Sequence, residues 1–138
     1  MALLAGAAVS WKCRQQKSVA TSTAESEFVS ASKCADEVLW IRRILSYIAP
    51  QHKPTRLFED NRACKMLSEN PIRNERSKHI DYRVHSLRER VQEGEVTLVD
   101  CPTRDMIADT LTKALPSPTF TRHRDTMMGY TSHPLIQR

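Results

Sequence analysis

Apolar residues recur at helical spacing in four stretches of the chain, and the first stretch gives the clearest pattern. Spacings of three, four and seven residues place its apolar side chains on one face, at Phe28, Ala31, Ala35, Val38 and Leu45. The segment Ser22-Thr23-Ala24-Glu25 fits a capping box, in which the serine and glutamate side chains satisfy backbone N–H groups of the first turn. We therefore predict a helix that runs to about Tyr47 and ends before Pro50.

Three further helices are predicted from the same spacing. A short one opens after Asp60, a longer one ends at Gly94, and the last begins with Thr103 as its N-cap and ends before Pro116. Glycine is a common residue just past a helix C-terminus, and proline cannot continue a helix. The apolar positions are, in order, Ala63, Met66 and Leu67; Ile80, Val84, Leu87 and Val91; and Ile107, Leu111 and Leu115.

Strands are predicted over residues 2–13, 55–58 and 95–100, where small, β-branched or alternating apolar residues occur. The order of elements is strand, helix, strand, helix, helix, strand, helix. Such alternation is typical of an α/β layer in which the later strands pair in parallel. Residues 117–138 contain a weak helical stretch, and we expect a frayed tail after it.

Composition favours a folded intracellular protein that can bind a polyanion. The chain has 138 residues and a formal charge of +5, and no run approaches the ~20 apolar residues that span a bilayer. Its apolar start lacks a basic region, so no signal peptide is predicted. The four cysteines are far apart and contain no Cys-x-x-Cys pair, which indicates reduced thiols rather than a disulfide framework or a zinc ribbon.

Basic residues occur in clusters, which favours binding of nucleic acid, although an ordinary solvated surface would give the same pattern. Residues 1–24 contain no acid. The clusters are Lys12, Arg14 and Lys17; Arg73, Arg76, Lys78, His79 and Arg83; and Arg122, His123 and Arg124.

Three carboxylates from separate predicted elements could share a divalent cation. Glu27 follows the capping box beside the apolar face, Asp60 stands at the carboxyl end of a predicted strand, and Asp109 lies on the last predicted helix. Ligands bind at the carboxyl ends of strands in open α/β sheets, and Mg²⁺ prefers oxygen ligands. Each acid also has a simpler interpretation. Glu27 could interact with the dipole at the helix N-terminus, Asp60 could cap a helix, and Asp109 could be an acid on the solvated surface.

Several motifs in order resemble the ribonuclease H segment of copia-type LTR retrotransposon Pol polyproteins. The match is collinear over about residues 7–130. The matching pieces are Val9-Ser10-Trp11-Lys12, Ser22-Thr23-Ala24-Glu25-Ser26-Glu27-Phe28, Glu59-Asp60-Asn61, Asn70-Pro71, Ser77-Lys78-His79-Ile80-Asp81-Tyr82-Arg83-Val84-His85, Gly94-Glu95-Val96 and the run from Cys101 to Lys113.

This resemblance implies a ribonuclease H-like α/β fold, here an incomplete mixed sheet of about three strands flanked by about four helices. It implies a domain over residues 1–116, followed by a C-terminal extension over residues 117–138. It also implies hydrolysis of the RNA strand of an RNA–DNA hybrid by two Mg²⁺ ions, in partnership with the reverse transcriptase of the parent polyprotein. Glu27, Asp60 and Asp109 match three of the four metal-binding carboxylates of the family.

Nucleic-acid contacts are expected from two groups of residues, of which only the second lies near that site. Lys12, Arg14, Lys78, His79 and Arg83 could contact backbone phosphate, while His79 could equally pack at a helix–sheet junction. Ser22 and Asn61 could bind the 2′-hydroxyl that distinguishes RNA from DNA. Trp11 and Trp40 are expected in the core rather than as platforms on which bases stack.

The chain departs from the family at its start. The family's remaining metal-binding aspartate lies on a strand that precedes the segment matched by Val9-Ser10-Trp11, and this chain has no acid before Glu25. We therefore expect a truncated module that is inactive alone and leaves a sheet edge unpaired. The alternatives are a non-catalytic remnant that binds nucleic acid, or a decayed retroelement fragment without a selected function.

Overall fold

The structure is a computed structural model that describes residues 1–13, 23–50, 53–61 and 78–135. The chain divides into two compact units, one formed by Met1–Gln15 with Cys101–Arg138 and one formed by Gln16–Asp100. The described residues contain three α-helices, two 3₁₀ helices and four strands. The strands form two separate two-stranded sheets, so the prediction of about three strands in one sheet is wrong.

The first unit begins with a hairpin where the sequence predicted one strand. Strand β1 (Ala2–Leu4) pairs antiparallel with β2 (Ala7–Ser10). Ala5 and Gly6 between them have φ angles of 51° and 88°, as a two-residue type I′ turn requires. The prediction failed because the run is continuously small and apolar, so Gly6 is the sole sign of a reversal.

The fourth predicted helix is not an α-helix in the structure. Residues 103–105 and 107–111 instead form 3₁₀ helices, interrupted by Met106 in an extended conformation with φ −74° and ψ 92°. Thr103 is not an N-cap, because Pro102 holds that position and no side chain caps the helix. Ile107 and Leu111 are spaced for an α-helix, whereas a 3₁₀ helix aligns residues three apart, so the spacing predicted the wrong type of helix here.

Helix α3 (Ser117–Met127) confirms the helical stretch predicted beyond Pro116. His123 and Thr126 on this helix are buried, and so is His133 beyond it. His133 Nε2 lies 3.0 Å from the carbonyl oxygen of Asp105, and its Nδ1 accepts a hydrogen bond from the backbone N–H of Leu135 at 3.1 Å. These bonds attach the described part of the tail to the 3₁₀ segment.

The second unit is built on helix α1 (Thr23–Ser46), which confirms the first predicted helix. Strand β3 (Thr55–Glu59) follows it, then helix α2 (Lys78–Gln92) and strand β4 (Val96–Asp100). Gly94 has a φ of +70°, the left-handed conformation that ends many helices. The short helix predicted after Asp60 and the serine of the capping box lie outside the described residues.

Strands β3 and β4 pair in parallel, as predicted, with Thr55 opposite Val96 and Glu59 opposite Asp100. The buried positions Leu57, Val96 and Leu98 alternate along the strands, so one face of this sheet carries the core. Helices α1 and α2 supply the rest of one hydrophobic cluster, which consists of Phe28, Ala31, Ala35, Val38, Leu57, Leu87, Val96 and Leu98.

Both tryptophans contradict their predicted burial. Trp11 is 62% exposed and Trp40 is 60% exposed. On α1, Trp40 does not occupy one of the positions that pack into the core. Trp11 immediately follows the hairpin. No described helix is both long and apolar enough to cross a membrane.

Replacing Leu87 with alanine should cost about 2–5 kcal/mol of unfolding free energy, because a fully buried leucine leaves a cavity when truncated. Leu87 has no exposed surface. Urea unfolding of the purified chain measures the change, and Ile48→Ala is the matched control because Ile48 is 83% exposed. Equal losses in the two variants would contradict the described core.

Replacing Cys34 with alanine should make the free energy of unfolding fall less steeply as the pH rises above neutral. Burial raises the pKa of the Cys34 thiol, and the carboxylates of Glu37 and Glu59 raise it further. The buried neutral thiol therefore stabilises the fold fully below the ordinary thiol pKa, and that contribution is lost as pH rises through the folded-state value. Unfolding free energies at pH 7, 9 and 10 should converge between wild type and Cys34→Ala; parallel pH curves would refute this.

Candidate metal centre

Helix α1 lies antiparallel to β3, and polar contacts at both ends of the strand fix this arrangement. At the start of β3, Arg42 Nη1 donates to Thr55 Oγ1 at 2.9 Å and to the Lys53 carbonyl at 2.7 Å. Beyond its end, Asn61 Nδ2 donates to Glu27 Oε2. From Glu27 to Arg42 the helix rises about 22 Å, and from Thr55 to Asn61 an extended chain covers about 20 Å. The two lengths match, so Glu27 is placed at the carboxyl end of β3.

Asn61 connects two carboxylates at this end of the strand. Its backbone N–H donates to Glu59 Oε1 at 3.2 Å, while its side chain donates to Glu27. Asp60 lies between Glu59 and Asn61, and all four residues are half-buried. Hydrogen bonds from an amide to partly desolvated carboxylates offset some of the cost of bringing negative charges together.

Glu59 and Asp100 belong to the same edge of the sheet and were missed as candidates. They are register partners at the last position of β3 and β4. Residues of like parity share a sheet face, so both continue the face that carries Leu57 and Leu98. Alternation along the strands could have revealed this, since each acid follows its buried partner by two positions. We name Glu27, Glu59, Asp60 and Asp100 the acidic edge.

Asp109 belongs to the other unit and has a different environment. It lies in the 3₁₀ helix Ile107–Leu111 and is 9% exposed, which excludes the interpretation as a solvated surface acid. Lys113 Nζ is 2.9 Å from its Oδ1. The structure thus brings Glu27 to the segment that contains Asp60, and the meeting of Asp109 with them stays a prediction.

The acidic edge has the donor chemistry of a magnesium site but only part of a ligand set. Its donors are carboxylate oxygens, and Mg²⁺ is commonly held by one or two carboxylates with water and substrate phosphate in the other positions. Across the described residues, no group of three His, Cys, Asp or Glu side chains is arranged to hold a metal ion. The structure places Glu27 at the strand end next to Asp60, and a cation shared by these two carboxylates stays a prediction.

The predicted nucleic-acid contacts are only partly described. Lys12 is exposed after β2, and Asn61 is committed to Glu27 and Glu59. Arg14 and Ser22 lie outside the described residues. Lys78, His79 and Arg83 lie on α2, where only their backbone is described.

Plant transposon polyproteins are similar to most of this chain. It is 35% identical over 115 residues to the retrovirus-related Pol polyprotein from transposon TNT 1-94 of Nicotiana tabacum, which covers 83% of the chain and 9% of that relative. Identity is 36% over 114 residues and 34% over 113 residues to the retrovirus-related Pol polyproteins from transposons RE2 and RE1 of Arabidopsis thaliana. These two alignments each cover 81% of the chain and 8% of the relative. The chain thus spans less than a tenth of these relatives.

Searches for a matching family model and for a similar solved structure found none.

Replacing Asn61 with aspartate should destabilise the chain by about 1 kcal/mol, because a half-buried acceptor loses its donor and a further negative charge joins the acidic edge. Millimolar Mg²⁺ should restore part of the loss, since a cation that binds the folded state stabilises it. Thermal unfolding with and without Mg²⁺ measures both effects. Asn61→Ala is the control, because it removes the donor without adding charge; equal Mg²⁺ responses in the two variants would contradict a cation at this edge.

Proposed function

We propose that this chain, which belongs by sequence to the retrovirus-related Pol polyproteins of transposons, is a ribonuclease H-type module. Its substrate would be the RNA strand of an RNA–DNA hybrid, hydrolysed with the help of Mg²⁺. The hydrogen bond from Asn61 to Glu27 carries this proposal, because it joins the helix carboxylate to the strand end that bears Asp60. Collinear motifs shared with that module support the same assignment.

The acidic edge explains why such a module would need a cation. Four carboxylates at one end of a two-stranded sheet repel a nucleic-acid backbone. Bound Mg²⁺ would neutralise phosphate charge and activate water for attack at phosphorus. Glu27 and Asp60 would hold the ion, and Asn61 would keep the Glu27 carboxylate oriented. Asp109 would be the third ligand, as the family resemblance implies, in place of its ion pair with Lys113.

A second candidate function is binding of nucleic acid without cleavage. Residues 1–24 supply Lys12, Arg14 and Lys17 and no acid, and basic residues attract phosphate whether or not a metal-dependent reaction takes place. Cleavage and binding must therefore be measured separately.

Binding of an RNA–DNA hybrid by the 138-residue chain should strengthen at least severalfold when Mg²⁺ replaces EDTA, with little or no turnover of labelled RNA. Glu27→Gln and Asp60→Asn should each abolish the Mg²⁺-dependent part, because they remove a ligand charge. Glu93→Gln is the matched control, since Glu93 is an exposed acid just past α2.

Fluorescence anisotropy with hybrid, double-stranded DNA and double-stranded RNA of one sequence measures this, alongside a gel assay for cleavage. Turnover that Asp60→Asn abolishes would strengthen the assignment and refute the expected inactivity. Binding that ignores Mg²⁺ and is the same in all variants would refute the ribonuclease H proposal and favour simple binding.

A further inference from the structure

Two arginines of the first unit meet at one carboxylate that is nearly buried. The Asp105 side chain is 11% exposed, whereas the Arg104 side chain is 82% exposed. Arg104 Nε lies 3.6 Å from Asp105 Oδ2, and Arg122 Nη1 lies 3.4 Å from Asp105 Oδ1. The carboxylate therefore holds two guanidinium groups next to each other. We name Arg104 and Arg122 the arginine pair.

The backbone that carries the arginine pair is held at two consecutive carbonyl groups. Arg122 Nη2 donates to the Arg104 carbonyl, and Nε2 of the buried His123 lies 3.1 Å from the same oxygen. The Asp105 carbonyl lies 3.0 Å from Nε2 of His133, which is also buried. Contacts from α3 and from the residues beyond it thus fix this segment. A binding group on a fixed backbone loses less conformational entropy when a ligand arrives.

The terminal nitrogens of Arg104 are available to a ligand. Within the described residues, Nη1 and Nη2 have no hydrogen-bond or ion-pair partner, because Nε alone approaches Asp105. Arg122 instead uses both of its terminal nitrogens inside the fold, at Asp105 and at the Arg104 carbonyl. A guanidinium group offers parallel N–H donors that match two oxygens of a phosphate. Arg104 therefore has the donors for a phosphate contact, and Arg122 and Asp105 hold it in place.

The first unit carries most of the positive charge of the chain. It contains seven lysines and arginines and three aspartates, a net charge of +4, whereas the second unit contains fourteen basic and thirteen acidic residues. Each of the three aspartates is paired with a cation within 4 Å, so the acids of this unit are already neutralised. The pairs are Asp105 with Arg104 and Arg122, Asp109 with Lys113, and Asp125 with Arg124.

We infer that Arg104 binds a backbone phosphate of nucleic acid in a bidentate contact that Asp105 and Arg122 keep oriented. Phosphate contacts fix the position of a protein on nucleic acid without reading its sequence. The inference rests on the proposed function for the choice of an RNA–DNA hybrid as ligand, and it names part of the surface that holds this hybrid. The contact requires neither Mg²⁺ nor a residue of the acidic edge.

The charge distribution favours nucleic acid over an acidic protein segment. A carboxylate can also accept two hydrogen bonds from arginine, so Arg104 alone does not distinguish the two ligands. The excess of cations extends over the whole first unit, however, and nucleic acid carries a negative charge at every linkage. It can therefore pair with several of these cations at once.

Binding of a fluorescein-labelled hybrid of about 20 base pairs, in EDTA at low salt, tests the contact by anisotropy. Arg104→Gln should weaken binding about tenfold, the loss of one charge-assisted contact, and lower the slope of log affinity against log salt by about 0.9. Arg104→Lys should recover only part of the affinity, because it keeps the charge without the paired donors. Arg124→Gln is the matched control, since it removes the same charge from an exposed arginine that is already paired with Asp125.

Asp105→Asn separates orientation from net charge. If net charge alone attracted the hybrid, removing this carboxylate would strengthen binding. Because Asp105 orients Arg104, we expect weaker binding instead, and no further loss when Asp105→Asn is added to Arg104→Gln. Circular dichroism of each variant confirms that the fold is retained.

Three results would overturn the inference. Equal losses in Arg104→Gln and Arg124→Gln, or tighter binding by Asp105→Asn, would indicate attraction by net charge alone. Competition by polyglutamate as strong as that by unlabelled hybrid would indicate an acidic protein ligand.

The ratio of affinities in Mg²⁺ and in EDTA separates this inference from the proposed function. Arg104→Gln should leave that ratio unchanged. A ratio of one in the wild type, together with the expected loss in Arg104→Gln, would refute the ribonuclease H proposal and retain the phosphate contact.

Discussion

The antiparallel packing of α1 along β3 is the constraint on which the described second unit depends. The helix buries Phe28, Ala31, Ala35 and Val38 over the sheet face that carries Leu57, Val96 and Leu98. Polar contacts at its two ends, through Arg42 and Glu27, set how far the helix is shifted along the strand. A slip of one helical turn, about 5.4 Å, would separate Glu27 from Asn61 and Arg42 from Thr55.

This packing also separates charge along the unit. The acidic edge meets the amino-terminal turns of α1, where the helix dipole favours negative charge, and Arg42 and Arg43 lie near its carboxyl end, where the dipole favours positive charge. Each end of the helix thus complements the side chains around it. The net charge of +5 belongs to the whole chain and does not reveal this separation of charge along α1.

The sequence predicted those helices and strands in which the buried apolar residues recur with the period of the element. Helix α1, helix α2 and the parallel pair β3–β4 follow directly from apolar spacing, and the relatives in plants confirm the resemblance to transposon Pol polyproteins. The hairpin was missed because a two-residue turn at Ala5-Gly6 leaves no gap in an apolar run. The 3₁₀ segment was misassigned because the extended backbone at Met106 has no sequence signal. Glu27 and Asp60 could be chosen from sequence, but the role of Asn61 required the structure.

The two ends of α1 are so far apart that a charge at one end has little effect at the other. About 20 Å along α1 separates the acidic edge from Trp40, more than twice the Debye length of about 8 Å at physiological salt. Loss of a carboxylate at one end therefore leaves the electrostatic attraction at the other nearly unchanged. Under the ribonuclease H proposal, a single substitution at the acidic edge would abolish the expected metal binding without changing the field around Arg42 and Arg43. The converse also holds: loss of Trp40 would leave the carboxylates of the acidic edge unchanged.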